Sequence, residues 1–195
     1  MMRPKILVVP GSNRSGSHNV RLSGTMARSL ARHECDVTRI SLADYPLPVY
    51  DGDLEAQRGQ PENARKLARL FHEHDGLVLV SPEYNTSLTP LMKNTIDWIS
   101  RVGTDQHGKL TPFRGKVFGI CAASPGGYGG IRGLNHLRAI LVNVGALVVS
   151  EQLAVADAEN AFDDMDELTD KRASGFLDAM ARSVAEKSAA FAARG

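Results

Sequence analysis

The stretch KILVVPGSNRSGSHN, from Lys5 to Asn19, constrains the fold of this chain more than any other. Its first part, Lys5–Pro10, is a continuous apolar run rather than an alternating one. That predicts a strand covered on both faces, as in a parallel sheet. A helical pattern begins near His18, and a turn of glycine, serine and asparagine lies between. Strand, polar turn and helix in this order make an anion cradle. The first N–H groups of a helix lack an intrahelical partner, and the helix dipole favours negative charge there. Ser12, Asn13, Ser15, Ser17 and Asn19 add hydrogen-bonding side chains, and Arg14 adds a cation. The same composition also makes plain turns, so the remaining loops must decide.

Along the chain, apolar strands alternate with helical patterns. Strands are predicted at Asp36–Leu42, Gly76–Ser81, Lys116–Ala123 and Ala146–Ser150, the first of them alternating and nearer an edge. Helices are predicted at Asn19–His33, at Pro61–His74 with Ala64, Leu67, Ala68 and Phe71 as its buried stripe, and at Ile131–Val144 with Gly145 at its end. An alanine-rich helix is predicted at Met165–Arg194. The helix Leu88–Val102 carries two apolar stripes: Leu88, Met92, Ile96 and Ile99, then Leu91, Thr95, Trp98 and Val102. One stripe suffices to dock on a sheet. The second marks either a wide buried helix or a subunit boundary. The long connection Ala43–Gly59 carries Leu47, Val49 and Leu54, which suggests that it folds back on the body of the protein.

Five strands alternating with helices imply an α/β chain with a doubly wound parallel sheet, order 2-1-3-4-5, and helices on both faces. In that order the first, third and fourth strands are neighbours. The polar loops that follow them, Gly11–Asn19, Pro82–Thr89 and Ser124–Gly130, then meet at one crevice beyond the carboxyl ends of the strands. A chain of 195 residues is expected to form a single domain over 1–195.

Several classes of function drop out. A net charge of +1 without a Lys/Arg run argues against nucleic acid. It also argues against an acidic, charge-steered electron carrier. No apolar run is long enough to span a membrane, and no secretory leader is recognisable before the first strand. The expected location is cytoplasmic. Cys35 and Cys121 have no metal-binding spacing, and Cys121 lies in an apolar strand. His72 and His74, at the end of their helix, are expected to be exposed.

The first loop has the spacing GxxxxG at Gly11 and Gly16, but Ser17–His18 stands where a nucleoside-triphosphate site has Lys–Ser/Thr. GxGxxG is absent too, so a dinucleotide fingerprint fails. A single phosphate held by hydroxyls, amides and one arginine remains. The second loop offers flat and polar groups together in Pro82, Glu83, Tyr84 and Asn85. The glycines of the third allow backbone to approach a ring closely. A monophosphate joined to a flat ring at this switch point suggests FMN, the ligand of flavodoxin at the same place.

The segments KILVVPGSNRSGSHN, LPVYDGDLE, SPEYNTSLTPLMKNTIDWISR and AASPGGYGG together resemble the NAD(P)H-dependent FMN reductases, a flavodoxin-like family that includes quinone, chromate and azo-dye reductases. The matches cover the chain except for its last helix. The pair GSNRSGSHN and PEYNTSLTP in this order is specific, whereas either alone is weak. The resemblance implies FMN as cofactor and NADPH or NADH as co-substrate. Ser12, Arg14, Ser17 and Asn19 would hold the FMN phosphate, with Asn13 and His18 nearby. Pro82, Glu83, Tyr84 and Asn85 would line the ring and ribityl chain, with Ser87 at the edge. Ser124, Gly126 and Gly127 would close the other side. It also implies a homodimer or homotetramer, small-molecule acceptors and no catalytic side-chain dyad, because the flavin performs the chemistry. Glu83 then has an orienting role. The alternatives are a flavodoxin-like electron-transfer module without NAD(P)H turnover and a flavin-free enzyme acting on nucleotides.

Overall fold

The computed structural model describes residues 3–193. Its sheet contains five parallel strands in the order β2-β1-β3-β8-β9. In chain order the elements are β1 (Lys5–Pro10), α1 (His18–Arg32), β2 (Asp36–Arg39), a 3-10 turn at Leu42–Asp44, α2 (Gly52–Arg58), α3 (Glu62–Glu73) and β3 (Gly76–Val80). A small hairpin of β4 (Glu83–Tyr84) and β5 (Ser87–Leu88) precedes α4 (Pro90–Ser100). A second hairpin, β6 (Thr104–Asp105) with β7 (Gly108–Lys109), leads to β8 (Val117–Ala123), α5 (Ile131–Asn143), β9 (Leu147–Val155) and α6 (Lys171–Ala192). Counting only the sheet strands, this is the order 2-1-3-4-5.

Alternate residues of each central strand point to opposite faces. Ile6 and Val8 pack with Leu22, Met26 and Leu30 of α1 and with Leu177, Met180 and Val184 of α6. Leu7 and Val9 pack on the other face, with Ala64, Leu67, Ala68 and Phe71 of α3, Met92 and Ile96 of α4 and Leu134 and Leu137 of α5. Both faces being covered explains why β1, β3 and β8 read as unbroken apolar runs.

Four expectations are corrected. First, the second stripe of α4 is not a free face. Trp98 is 0% exposed, and Thr95 and Val102 are each 2% exposed. The connection Ala43–Gly59, which contains α2, lies over them. Trp98 Nε1 donates to the Pro48 carbonyl at 2.8 Å, and the Tyr50 ring meets the indole edge-on at 5.0 Å. Second, β9 runs five residues beyond Ser150, across a register shift between Phe118 and Ile120 of β8. Third, the last helix starts at Lys171, not Met165, with the Asp170 carboxylate accepting from the Arg172 N–H. Residues before it are held by Arg21 and Arg28, which reach Asp166 and Glu167. The end expected at Arg194 lies outside the described residues. Fourth, His74 is buried, and its Nδ1 is 2.6 Å from the Leu70 carbonyl; His72 is half-buried beside Thr111.

Candidate functional site

Register brings the loops together. Pro10 pairs with Val80, and Val80 with Cys121, so the first and third sheet strands end level and the fourth runs two residues further, to Ala123. Their outgoing chains continue the ladder: Gly11 N donates to the Val80 carbonyl at 2.8 Å and Ser81 N to the Cys121 carbonyl at 2.9 Å. Three cross-links then fix the loops. Thr89, the N-cap of α4, donates its hydroxyl to the Gly11 carbonyl at 2.9 Å. Asn19 spans to the end of β8, with Nδ2 donating to the Ala123 carbonyl at 2.7 Å and Oδ1 accepting the Ala123 N–H at 2.9 Å. Glu83 spans to α5. One carboxylate oxygen accepts both Nε and Nη2 of Arg132 at 2.9 and 2.6 Å, and the other accepts the Gly133 N–H at 2.9 Å. The approach is close: a Cβ at 133 would stand 3.1 Å from the Ser87 carbonyl oxygen and 3.3 Å from the Glu83 Cβ.

At this junction lies a cavity of about 100 Å³. Nine expected residues line it: Ser12, Arg14, Ser17, His18, Asn19, Pro82, Glu83, Tyr84 and Ser124. Ala123 and Pro125 complete the wall, and neither was expected. Five expected residues stand outside it. Asn13 is exposed. Asn85 is exposed at the turn of the β4–β5 hairpin, with φ of 48°. Ser87 faces His136, with its hydroxyl 3.0 Å from Nδ1. Gly126 and Gly127 are exposed, and Gly126 N donates to Ser124 Oγ at 3.3 Å.

The cradle itself is built for an anion. Ser17 is the N-cap of α1, yet its side chain makes no capping bond, and no acidic residue lies in the first turn. The Val20 N–H donates to the Ser17 carbonyl at 3.0 Å, which leaves the His18 and Asn19 N–H groups as the open amides at the start of α1 among the described residues. Ser12 is 8% and Ser17 3% exposed. His18 Nδ1 is buried without a hydrogen-bond partner among the described residues. Such orphans cost about 1–3 kcal/mol and call for a ligand. Arg14 has no carboxylate partner among the described residues; its only side-chain hydrogen bond there is a long one, 3.4 Å, to the Gly16 carbonyl. Uncapped helix start, orphaned imidazole nitrogen, buried hydroxyl and unpaired guanidinium together fit one phosphate.

Arg132 and His136 are the partners sequence reasoning missed. Both lie on the first two turns of α5, whose recognisable signals were apolar. A positively charged residue two places after SPGGYGG is the one sign that Glu83 has a fixed partner. Glu83 is held below the ordinary carboxyl range. Desolvation pushes its pKa up, but the Gly133 N–H and the Arg132 guanidinium outweigh that. Its folded pKa being lowered, its stabilisation is present above the unfolded value of about 4.3 and is lost as pH falls through the folded value. Glu83→Gln removes that step. Acid titration of thermal stability is expected to fall less steeply below about pH 4 in the variant than in the parent; identical slopes would contradict the tie.

Thiol chemistry has no place here. Cys35 and Cys121 are buried and free, and burial alone pushes both thiols up, Cys35 to about 11. Among the described residues no cluster could hold a metal ion, and no helix is long and apolar enough to cross a membrane.

Comparison with known proteins shows the family of the chain. The profile of the NADPH-dependent FMN reductase family matches residues 4–160. A quinone reductase of Escherichia coli is 38% identical over 148 residues, 75% of this chain and 74% of that protein. An NAD(P)H-dependent FMN reductase of Pseudomonas aeruginosa is 33% identical over 171 residues, 87% and 86% of the two chains. Among solved structures, the flavoenzyme NAD(P)H:acceptor oxidoreductase FerB of Paracoccus denitrificans aligns with a TM-score of 0.77 and 27% identity, covering 96% of this chain and 98% of its own. The profile spans all three loops and stops before α6, and on these grounds the chain belongs to the NADPH-dependent FMN reductase family.

Proposed function

We propose that this protein holds FMN at the junction of its three loops and passes electrons from NADPH or NADH to quinones and related small acceptors. The observation that carries this reading is the α1 cradle, where open amides, the orphaned His18 Nδ1 and the unpaired Arg14 converge on a space the size of a phosphate. When bound, FMN supplies a relay that accepts a hydride and releases electrons to the acceptor. The chain's residues bind and orient. Ser12, Arg14, Ser17 and His18 hold the phosphate directly, with Asn13 at its outer edge. Asn19 acts through Ala123 by fixing the distance between cradle and β8. Pro82, Glu83, Tyr84 and Asn85 flank the ring and its side chain. Ser87 supports them through His136, and Ser124, Gly126 and Gly127 close the opposite side. Glu83 is a positioning residue, because both carboxylate oxygens are already engaged by α5.

The same reading takes residues 1–195 as one flavin-binding domain in the cytoplasm, assembled as a homodimer or homotetramer. Two buried free thiols suit a reducing compartment. Elution at monomer mass from a sizing column would overturn the assembly.

The test of function is direct. Purified protein, supplied with FMN, is expected to oxidise NADPH or NADH with benzoquinone as acceptor at about 1–1,000 turnovers per second. Protein that binds FMN but leaves both nicotinamides unoxidised would instead be an electron-transfer module. Protein that binds no FMN would overturn the reading altogether.

A further inference from the structure

Tyr128 does not line the cavity, and the fold leaves most of it in solvent. It is 68% exposed, although it stands in the third loop between buried glycines and exposed ones. Its surroundings are nonetheless fixed. The Ile131 N–H donates to the Tyr128 carbonyl at 3.0 Å, and the Gly129 N–H to the Gly126 carbonyl at 3.1 Å. Gly129 follows with φ of 61°, and a Cβ there would come within 2.7–2.8 Å of the backbone of Ala154, Val155 and Ala156. The ring is fixed as well. The Arg132 guanidinium carbon lies 4.8 Å from its centroid, and that guanidinium is held in turn by Glu83. One face of the phenol ring is therefore covered by a cation whose own charge is matched, and the other is open. Glu83, which holds Arg132, lines the cavity together with Ser124 and Pro125, so Tyr128 belongs to the loop that borders the cavity and packs on the partner of a wall residue.

A large aromatic on a rigid backbone, braced on one face and open on the other, is a stacking platform. We infer that Tyr128 is a specificity-determining residue that receives the flat ring of a quinone acceptor, so the site prefers planar aromatic acceptors to compact inorganic ones. This rests on the proposed function. The Tyr128 hydroxyl makes no hydrogen bond among the described residues, so its effect falls on acceptor recognition and not on flavin retention.

The test uses FMN-loaded protein and two acceptors, menadione and ferricyanide, the second of which offers no ring to stack. Tyr128→Leu is expected to raise KM for menadione about threefold to tenfold, the size of one aromatic contact. KM for NADPH, kcat with ferricyanide and the flavin spectrum stay unchanged, and Tyr128→Phe behaves as the parent. Unchanged menadione KM in Tyr128→Leu overturns the inference. So does a rise in NADPH KM alone, which assigns the ring to the coenzyme, or a change confined to the oligomeric state, which assigns it to a second copy. If the parent protein turns over NADPH with ferricyanide, a failure belongs to Tyr128 alone. If the parent does not, the inference falls together with the proposed function.

Discussion

Arg14→Ala combined with Ser17→Ala is expected to weaken FMN binding about 100-fold to 10,000-fold while leaving the fold intact. Two charge-assisted hydrogen bonds to a phosphate contribute roughly 1.5–3 kcal/mol each, and every 1.4 kcal/mol is a factor of ten. The fold should tolerate the double change for specific reasons. The Ser17 hydroxyl caps nothing in α1, and Arg14 pairs with no carboxylate among the described residues. Neither side chain fills the core. The effect therefore separates binding from stability: fluorescence titration of the flavin should show the loss, and the melting temperature of the flavin-free protein should stay within about 2 °C of the parent, because neither side chain makes a bond on which the flavin-free fold depends. Equal affinity in variant and parent would remove the phosphate from the cradle.

The second large effect is on stability. Trp98 is fully buried, its Nε1 bonded to Pro48 and its ring packed on Tyr50. Trp98→Ala is expected to cost about 3–5 kcal/mol, a large share of the roughly 5–15 kcal/mol of a typical domain. For a chain of this size that is a fall in melting temperature of about 6–20 °C. Trp98→Glu adds an unpaired buried charge and should not fold at all. A normal melting temperature with only a smaller particle on a sizing column would restore the tryptophan to a subunit boundary, the role its stripe suggested in the sequence.

That stripe shows where sequence reading ends. The strand order, the buried set Ala64, Leu67, Ala68 and Phe71, and the meeting of the three loops were all legible, because each depends on local periodicity or on the chirality and order of βα units. What covers the outer side of α4 was not, because the cover comes from Pro48 and Tyr50, about fifty residues earlier, through a carbonyl and a ring edge. Leu47 and Leu54 signalled that the connection folds back, but not onto which face. The same limit hid Arg132 from Glu83, which are 49 residues apart. The start of α6 was recoverable, since Asp170 is a good N-cap residue, but Met165 and Leu168 upstream continued the apolar spacing past it. His74 looked terminal and exposed; burial came from its ring turning back to Leu70.

The cradle at the start of α1 now has a defined composition: open amides, a hydroxyl, an imidazole nitrogen and a guanidinium, held at fixed distance from β8 by Asn19. The most direct measurement of its role compares FMN with riboflavin on the flavin-free protein by isothermal titration. The two ligands differ only in the phosphate. An anion cradle predicts that FMN binds at least about 100-fold more tightly, the factor expected from two charge-assisted bonds. Equal affinity for the two would contradict the phosphate cradle and with it the assignment of Gly11–Asn19 as the anchor of the site.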